Sequence, residues 1–122
     1  HTGGLFLEPT LVTDVEPEHE IFQEEVFGPV LAASPFEDER DEIRLANATQ
    51  YGLVAGVWTR DLARAHRVAA GIRAGQVFVN GYGVGGGVEL PFGGTGRSGY
   101  GRGKGVEALL GYTQTKNVWV AL

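Results

Sequence analysis

The pattern of apolar and polar residues between positions 29 and 80 predicts strand, helix, strand, helix and strand in that order. Three apolar runs supply the strands: PVLAASPF, YGLVAGVWT and QVFVN. Between them apolar residues recur at helical spacing, and Asp38 and Asp61 stand where helix N-caps belong. Crossovers of this length join parallel strands. The sequence therefore predicts an α/β fold with a partial parallel βαβαβ layer over residues 29–80.

Weaker patterns flank this layer on both sides. GLFLEPTLVTDV reads as an extended segment, and EPEHEIFQEE reads as a short acidic helix with Pro17 in its first turn. Beyond the layer, a short helix is predicted at 106–110 and a final strand at TQTKNVWVAL, which is rich in strand-forming residues. A three-stranded parallel layer is an incomplete fold, because parallel sheets are normally covered on both faces. This organisation, together with the absence of methionine even at position 1, predicts the C-terminal portion of a larger protein.

Composition narrows the remaining classes of function. The net charge of −5 combines an acidic first half with a basic second half, whose bases are mostly scattered arginines without interleaved aromatic residues, so we expect no nucleic-acid partner. No apolar run is long enough for a membrane span and the first residues do not resemble a signal peptide. We therefore expect no membrane partner and a cytoplasmic location. The absence of cysteine removes disulfides, thiolate metal ligands and thiol nucleophiles from this chain, and no metal site is predicted.

The stretch from Asn80 to Gly105 holds twelve of the twenty glycines. It contains G-x-G-x-x-G twice, ending at Gly86 and at Gly99, but neither match leads at once into a predicted helix, as a dinucleotide-binding turn requires. A P-loop is excluded because no G-K-[ST] occurs. We predict that these glycines allow close backbone approach or left-handed backbone conformations in a functional loop. A flexible linker is the alternative, and the apolar anchor in ELPFGG opposes it.

Four segments, taken in order, resemble the C-terminal part of the NAD(P)-dependent aldehyde dehydrogenase superfamily. They are QEEVFGPV, YGLVAGVWT, GQVFVN and PFGGTGRSGYGRGKGVEAL, and the closing YTQTKNVWV is similar to the terminal strand of that family. The resemblance implies oxidation of an aldehyde to a carboxylic acid with NAD or NADP, through a cysteine thiohemiacetal and thioester. It also implies that residues 1–110 belong to the catalytic domain. Residues 111–122 would be the terminal strand of the oligomerisation region, which predicts a homo-oligomer joined through that strand.

The same resemblance assigns roles to four residues. Glu25 would hydrogen-bond the hydroxyls of the nicotinamide ribose, Phe27 would pack beside that ribose, and Leu53 would lie near the nicotinamide. Phe92 would line the tunnel that admits the aldehyde substrate. Each residue also has a purely structural interpretation: an acidic helix end before a proline turn for Glu25 and Phe27, a core leucine, and a core phenylalanine that anchors the glycine-rich loop.

Two departures from the family pattern, and the lack of a cysteine and of a Rossmann portion, limit the functions that the resemblance implies for this chain. Gly103 stands where the family usually has glutamate, and Gly96 stands where it commonly has lysine. The chain has no cysteine and no Rossmann portion, so no catalytic residue is assigned and we do not expect the chain to be active alone. Two alternatives remain open: a non-catalytic remnant or structural module that serves assembly, and an independent small nucleotide-binding domain.

Overall fold

The computed structural model describes residues 3–83 and 87–122 of the chain, which divides into two compact units, His1–Gln50 and Tyr51–Leu122. Gly86, the last glycine of the first G-x-G-x-x-G match, and the other residues at 84–86 of the predicted functional loop lie outside the described residues. The predicted boundary after residue 110, between the catalytic domain and the oligomerisation region, stays a prediction. No helix in the described ranges is long and apolar enough to cross a membrane.

The first unit is built on a parallel pair of strands, β1 (Thr10–Val12) and β2 (Val30–Ala32), with Leu11 opposite Leu31. Helix α1 (Glu20–Gln23) lies between them in the chain. It is shorter than predicted, because Pro17 precedes the helix and the backbone turns extended at its C-cap. Only four residues of the predicted acidic helix are therefore helical.

Helix α2 (Glu39–Ala46) completes the first unit. The predicted cap is confirmed, because the Asp38 carboxylate accepts hydrogen bonds of 2.9 Å from the backbone N–H groups of both Arg40 and Asp41. Within the helix the Arg44 guanidinium donates to the Asp41 carboxylate at 2.7 Å, which lowers the pKa of that carboxyl. The N-terminal turn of α2 is thus fixed by its own side chains.

The second unit contains the remaining elements. They are β3 (Tyr51–Gly52), β4 (Val54–Val57), α3 (Leu62–Gly71), β5 (Gln76–Val79), β6 (Thr95–Gly96) and α4 (Gly105–Gly111). Strands β4 and β5 pair in parallel, whereas β3 and β6 pair antiparallel. Asp61 caps α3 as predicted, since its carboxylate accepts from the backbone N–H of Arg64 at 3.1 Å, and this bond lowers the pKa of Asp61. The helix ends at Gly71.

The predicted three-stranded layer is wrong. Strand β2 pairs with β1, while β4 pairs with β5 across α3, so the structure contains two separate parallel pairs. The segment at Thr10–Val12, interpreted as a flank, supplies the backbone groups that β2 needs: the Ala33 N–H donates to the Val12 carbonyl at 2.8 Å. The predicted strand at 51–59 also divides at Leu53 into β3 and β4, which pair with different partners. The mixed α/β class is confirmed.

The predicted terminal strand of the oligomerisation region does not form within the described single chain and stays a prediction. Within the described part of the chain, residues 113–122 form no strand, and Val118, Trp119 and Val120 are 71%, 83% and 70% exposed. The residue types favour extended backbone, but a strand also needs a partner for its N–H and C=O groups.

The core of the second unit lies where α3 packs on β4 and β5. Val68 is completely buried, and Ala65 and Val57 are each only 3% exposed. Val68 and Ala65 are three residues apart on α3, so they lie on the same helix face, and Val57 ends β4 beneath them. This small core fixes β5, and β5 carries the site described next.

Candidate functional site

A cavity of about 260 Å³ lies in the second unit. The residues that line it are Leu53, Val54, Gln76, Phe78, Tyr82, Gly83, Phe92 and Lys104. Two residues selected from the sequence, Leu53 and Phe92, are therefore brought together although they lie in different motifs. Both are partly exposed, at 39% each, as expected for residues that line an open cavity.

Leu53 is positioned by the start of β5. The backbone N–H of Gln76 donates to the Leu53 carbonyl at 3.1 Å, and the N–H of Gly75 donates to the Gly52 carbonyl at 3.0 Å. These two bonds hold the junction of β3 and β4 against β5. The Leu53 side chain is thereby fixed at the cavity wall instead of inside the helix-covered core.

Phe92 is held by a reciprocal backbone bridge. The Phe92 N–H donates to the Gly103 carbonyl and the Gly103 N–H donates back to the Phe92 carbonyl, each at 2.7 Å. Just before it, the Pro91 carbonyl accepts from the Gln76 side-chain amide at 3.3 Å. The phenylalanine thus anchors the glycine-rich segment through its backbone while its ring lines the cavity. Its predicted contact with a substrate stays a prediction.

The sequence reasoning missed the six other lining residues, of which four have polar or aromatic side chains: Gln76, Phe78, Tyr82 and Lys104. Alternation along β5 puts Gln76 and Phe78 on one face, and this signal was present in QVFVN. The Phe78 and Tyr82 rings pack with their centroids 5.8 Å apart and tilted by 55°. Nothing in the sequence pattern pointed to Lys104, whose Nζ lies 5.8 Å from the centroid of the Phe92 ring, within range of a cation–π attraction.

The glycines around the cavity serve close backbone contact. A Cβ placed on Gly75 would overlap the backbone carbonyl of Gly93, and a Cβ on Gly52 would overlap the Arg73 carbonyl. The glycine-rich segment can therefore pass directly over the start of β5. Within the stretch from Asn80 to Gly105, for which the sequence predicted close backbone approach, Gly93 makes such a contact, because a Cβ there would overlap the Gly101 carbonyl oxygen.

The second G-x-G-x-x-G match does not form a dinucleotide-binding turn. Gly96 belongs to β6, and a tight turn follows in which the Ser98 N–H donates to the Thr95 carbonyl at 3.2 Å. Helix α4 begins only at Gly105, so its N-terminus does not follow the glycine turn directly.

Gly103, the position of the family's glutamate, has room for a side chain. A Cβ there would meet only the Phe92 carbonyl oxygen, at an ordinary contact distance of 3.8 Å. Steric hindrance at the Cβ therefore does not explain the absence of an acid at position 103.

Glu25 and Phe27 lie in the first unit, on the segment that leads from α1 to β2. Phe27 is 97% exposed and Glu25 is also exposed. Two tight backbone bonds follow, from the Gly28 N–H to the Val26 carbonyl at 2.9 Å and from the Val30 N–H to the Gly28 carbonyl at 2.8 Å. A carboxylate thus stands two residues before an aromatic ring on a segment with two local backbone hydrogen bonds, and the ribose contact of Glu25 and Phe27 stays a prediction.

Across residues 3–83 and 87–122, no group of three or more His, Cys, Asp or Glu side chains is placed to hold a metal ion.

Comparison with known proteins places the chain in a family. The family model described as "Aldehyde dehydrogenase family" matches residues 1–118. The chain is 48% identical over 114 residues, or 93% of its length, to the NADP/NAD-dependent aldehyde dehydrogenase PuuC of Escherichia coli. It is 46% identical over its whole length to the betaine aldehyde dehydrogenase of Sinorhizobium fredii.

The structural comparison agrees. A crystal structure of betaine aldehyde dehydrogenase from Staphylococcus aureus in complex with NAD+ superposes on 89% of this chain with a TM-score of 0.84 and 42% identity, and the match covers 21% of that protein. The chain spans about a quarter of the length of the curated relatives, 23% of PuuC and 25% of the Sinorhizobium enzyme. The chain belongs to the aldehyde dehydrogenase family.

Proposed function

We propose that this chain is the C-terminal segment of an enzyme that oxidises an aldehyde to a carboxylic acid with NAD(P)+. The observation that carries the proposal is that Leu53 and Phe92, chosen from separate family motifs, line one cavity. That cavity would form part of the aldehyde tunnel, with Phe92 as its apolar contact to the substrate. The nucleophilic cysteine would come from outside this chain, which has none, so we do not expect the 122 residues to catalyse the reaction alone.

The cofactor contact would lie in the first unit. Glu25 would accept hydrogen bonds from the ribose hydroxyls, and Phe27 would pack against the sugar. The exposure of both Glu25 and Phe27 supports this assignment, because a buried carboxylate or ring could not reach a ligand. When bound, NAD(P)+ takes up the hydride, so that one aldehyde and one water give one carboxylate, one NAD(P)H and two protons.

Phe92→Ala tests the substrate role in the complete protein. Loss of the ring removes apolar contact with the aldehyde, so kcat/KM should fall about 10- to 100-fold. The measurement is aldehyde-dependent formation of NAD(P)H, monitored by absorbance. Phe36→Ala is the matched control, because Phe36 is 56% exposed, does not line the cavity and should leave kcat/KM unchanged.

Two results would count against the proposal. Unchanged kcat/KM in Phe92→Ala would remove Phe92 from the tunnel. A complete protein that reduces neither NAD+ nor NADP+ with any aldehyde would remove the enzymatic function, and would leave the non-catalytic assembly module as the interpretation.

The C-terminal segment would complete its strand with another copy of the protein. Val118, Trp119 and Val120 are exposed, and the segment forms no strand within the described part of the chain. Pairing with a partner would satisfy its backbone groups and bury these side chains. We therefore propose a homo-oligomer joined through residues 113–122.

A double proline variant tests this assembly. Val118→Pro with Trp119→Pro removes the ladder donors on both sides of the strand, so the complete protein should sediment as a smaller species. The control is Val118→Thr with Trp119→Tyr, which keeps strand propensity and should keep the parental sedimentation coefficient. An unchanged coefficient in the proline variant would exclude the strand as the joining element.

A further inference from the structure

The cavity combines apolar walls with one charged group. Of the lining residues that the structure describes, only Lys104 carries a charge, and the others are aliphatic, aromatic, glycine or glutamine. Its ammonium faces the Phe92 ring at 5.8 Å. A single cation beside three aromatic rings gives the cavity a defined electrostatic preference, because little else in the lining opposes it.

The backbone at Lys104 is held in an unusual conformation. Its φ of 61° and ψ of 177° lie in a region that essentially only glycine adopts. Flanking bonds impose this geometry: Gly103 is bridged to Phe92, and the Gly105 N–H donates to the Val88 carbonyl at 2.7 Å. A lysine kept where glycine is favoured is the kind of outlier that marks a functional position.

The lysine charge is not neutralised locally. Across the parts of the chain that the structure describes, no carboxylate forms an ion pair with Lys104. Both sequence neighbours of Lys104, Gly103 and Gly105, are glycines, so no acid adjoins it in the chain. An anionic group on a ligand would therefore meet an unpaired ammonium.

We propose that Lys104 is a specificity-determining residue that makes the cavity prefer aldehydes carrying a carboxylate. The inference rests on the proposed function and names the substrate class of the same cavity. The ammonium would donate to the carboxylate at the end of the substrate away from the aldehyde, while Phe78, Tyr82 and Phe92 cover the carbon chain. A volume of about 260 Å³ is small for a ligand pocket, which favours short substrates. A substrate with a quaternary ammonium group would be repelled.

The kinetic test compares 4-oxobutanoate with butanal, which share a chain length and differ in the carboxylate. In the complete protein, 4-oxobutanoate should have the higher kcat/KM, and this advantage should shrink at high salt. Lys104→Met should lower kcat/KM for 4-oxobutanoate about 10- to 100-fold, the usual range for loss of a charged hydrogen bond, and should lower kcat/KM for butanal far less. Lys104→Arg should restore most of the preference.

Arg60→Met is the matched control, since it removes one exposed positive charge from the same unit away from the cavity. It should leave the ratio of the two kcat/KM values unchanged. Equal kcat/KM for both aldehydes in the parent protein, or an equal loss for both in Lys104→Met, would overturn the proposal. The first result would show that the protein does not prefer the aldehyde with a carboxylate. The second would show that Lys104 has only a structural role.

A binding experiment separates this inference from the proposed function. Succinate, which cannot be oxidised as an aldehyde, is titrated into the complete protein and its affinity is measured by calorimetry. Affinity that Lys104→Met abolishes and Lys104→Arg retains supports the anion contact, even if the protein oxidises no aldehyde. Aldehyde oxidation with no Lys104-dependent binding or preference overturns the inference and leaves the proposed function intact.

Discussion

Replacing Gly75 with alanine should disrupt the packing between the start of β5 and the glycine-rich segment and thereby destabilise the chain. The added Cβ would overlap the Gly93 carbonyl and would lie only 3.3 Å from the Gly94 Cα. Gly75 cannot retreat, because its N–H is bonded to the Gly52 carbonyl at 3.0 Å. We expect a loss of about 3 kcal/mol or more in the free energy of unfolding, at or above the upper end of ordinary overpacking. Denaturant titration of the chain measures it.

Gly111→Ala is the matched control for this substitution. Gly111 ends α4, and no heavy atom lies within 4 Å of a Cβ placed there. Alanine is a better helix former by up to about 1 kcal/mol, so the control should be neutral or slightly stabilised. If Gly75→Ala were as stable as the parent chain, the close approach of the two backbones would not contribute to the fold.

Glu25→Gln in the complete enzyme should impair hydride transfer. A carboxylate can accept from both ribose hydroxyls, whereas the amide keeps one acceptor oxygen and gains donors that the hydroxyl geometry does not match. Loss of a charged hydrogen bond corresponds to about 1.5–3 kcal/mol, so we expect a decrease of about 10- to 100-fold in the rate of NAD(P)H formation. Single-turnover kinetics measure the chemical step, and steady-state kinetics measure its effect on turnover.

Glu24→Gln is the control for position, because it makes the same substitution one residue earlier. It should leave the single-turnover rate unchanged, and thermal unfolding of both variants shows whether either one is simply less stable. Unchanged kinetics in Glu25→Gln would return Glu25 to its purely structural interpretation, the acidic end of a short helix before a proline turn.

Local features of the fold were predictable because the interactions are local. Asp38 and Asp61 cap α2 and α3 through backbone N–H groups two or three residues away. The apolar stripe of α3 likewise predicted the face that carries Val68. Such features depend on chain geometry that the sequence states directly.

Strand pairing could not be predicted in the same way. Strand β3 finds its partner β6 more than forty residues later, and β2 selects an earlier segment that had been interpreted as a flank. Hydrophobic pattern indicates which face of a strand is buried, but it does not identify the neighbouring strand. The predicted three-stranded layer failed for this reason.

The candidate site was likewise predictable only in part. Leu53 and Phe92 were found through family resemblance, and the cavity that joins them depends on pairing that the sequence did not indicate. Lys104 was not selected because its placement results from a backbone conformation that lysine rarely adopts.

The backbone conformation at residue 104 costs stability, whereas the lysine side chain there provides the proposed substrate selectivity. Glycine at 104 would relieve a backbone strain of about 1–3 kcal/mol, and it would also remove the only cation in the described cavity lining. Screens that reward thermal stability alone should therefore drift towards Lys104→Gly and enrich enzymes that no longer distinguish charged from neutral aldehydes. An engineer who wants a more robust catalyst with the same substrate range would leave residue 104 untouched and seek stability elsewhere.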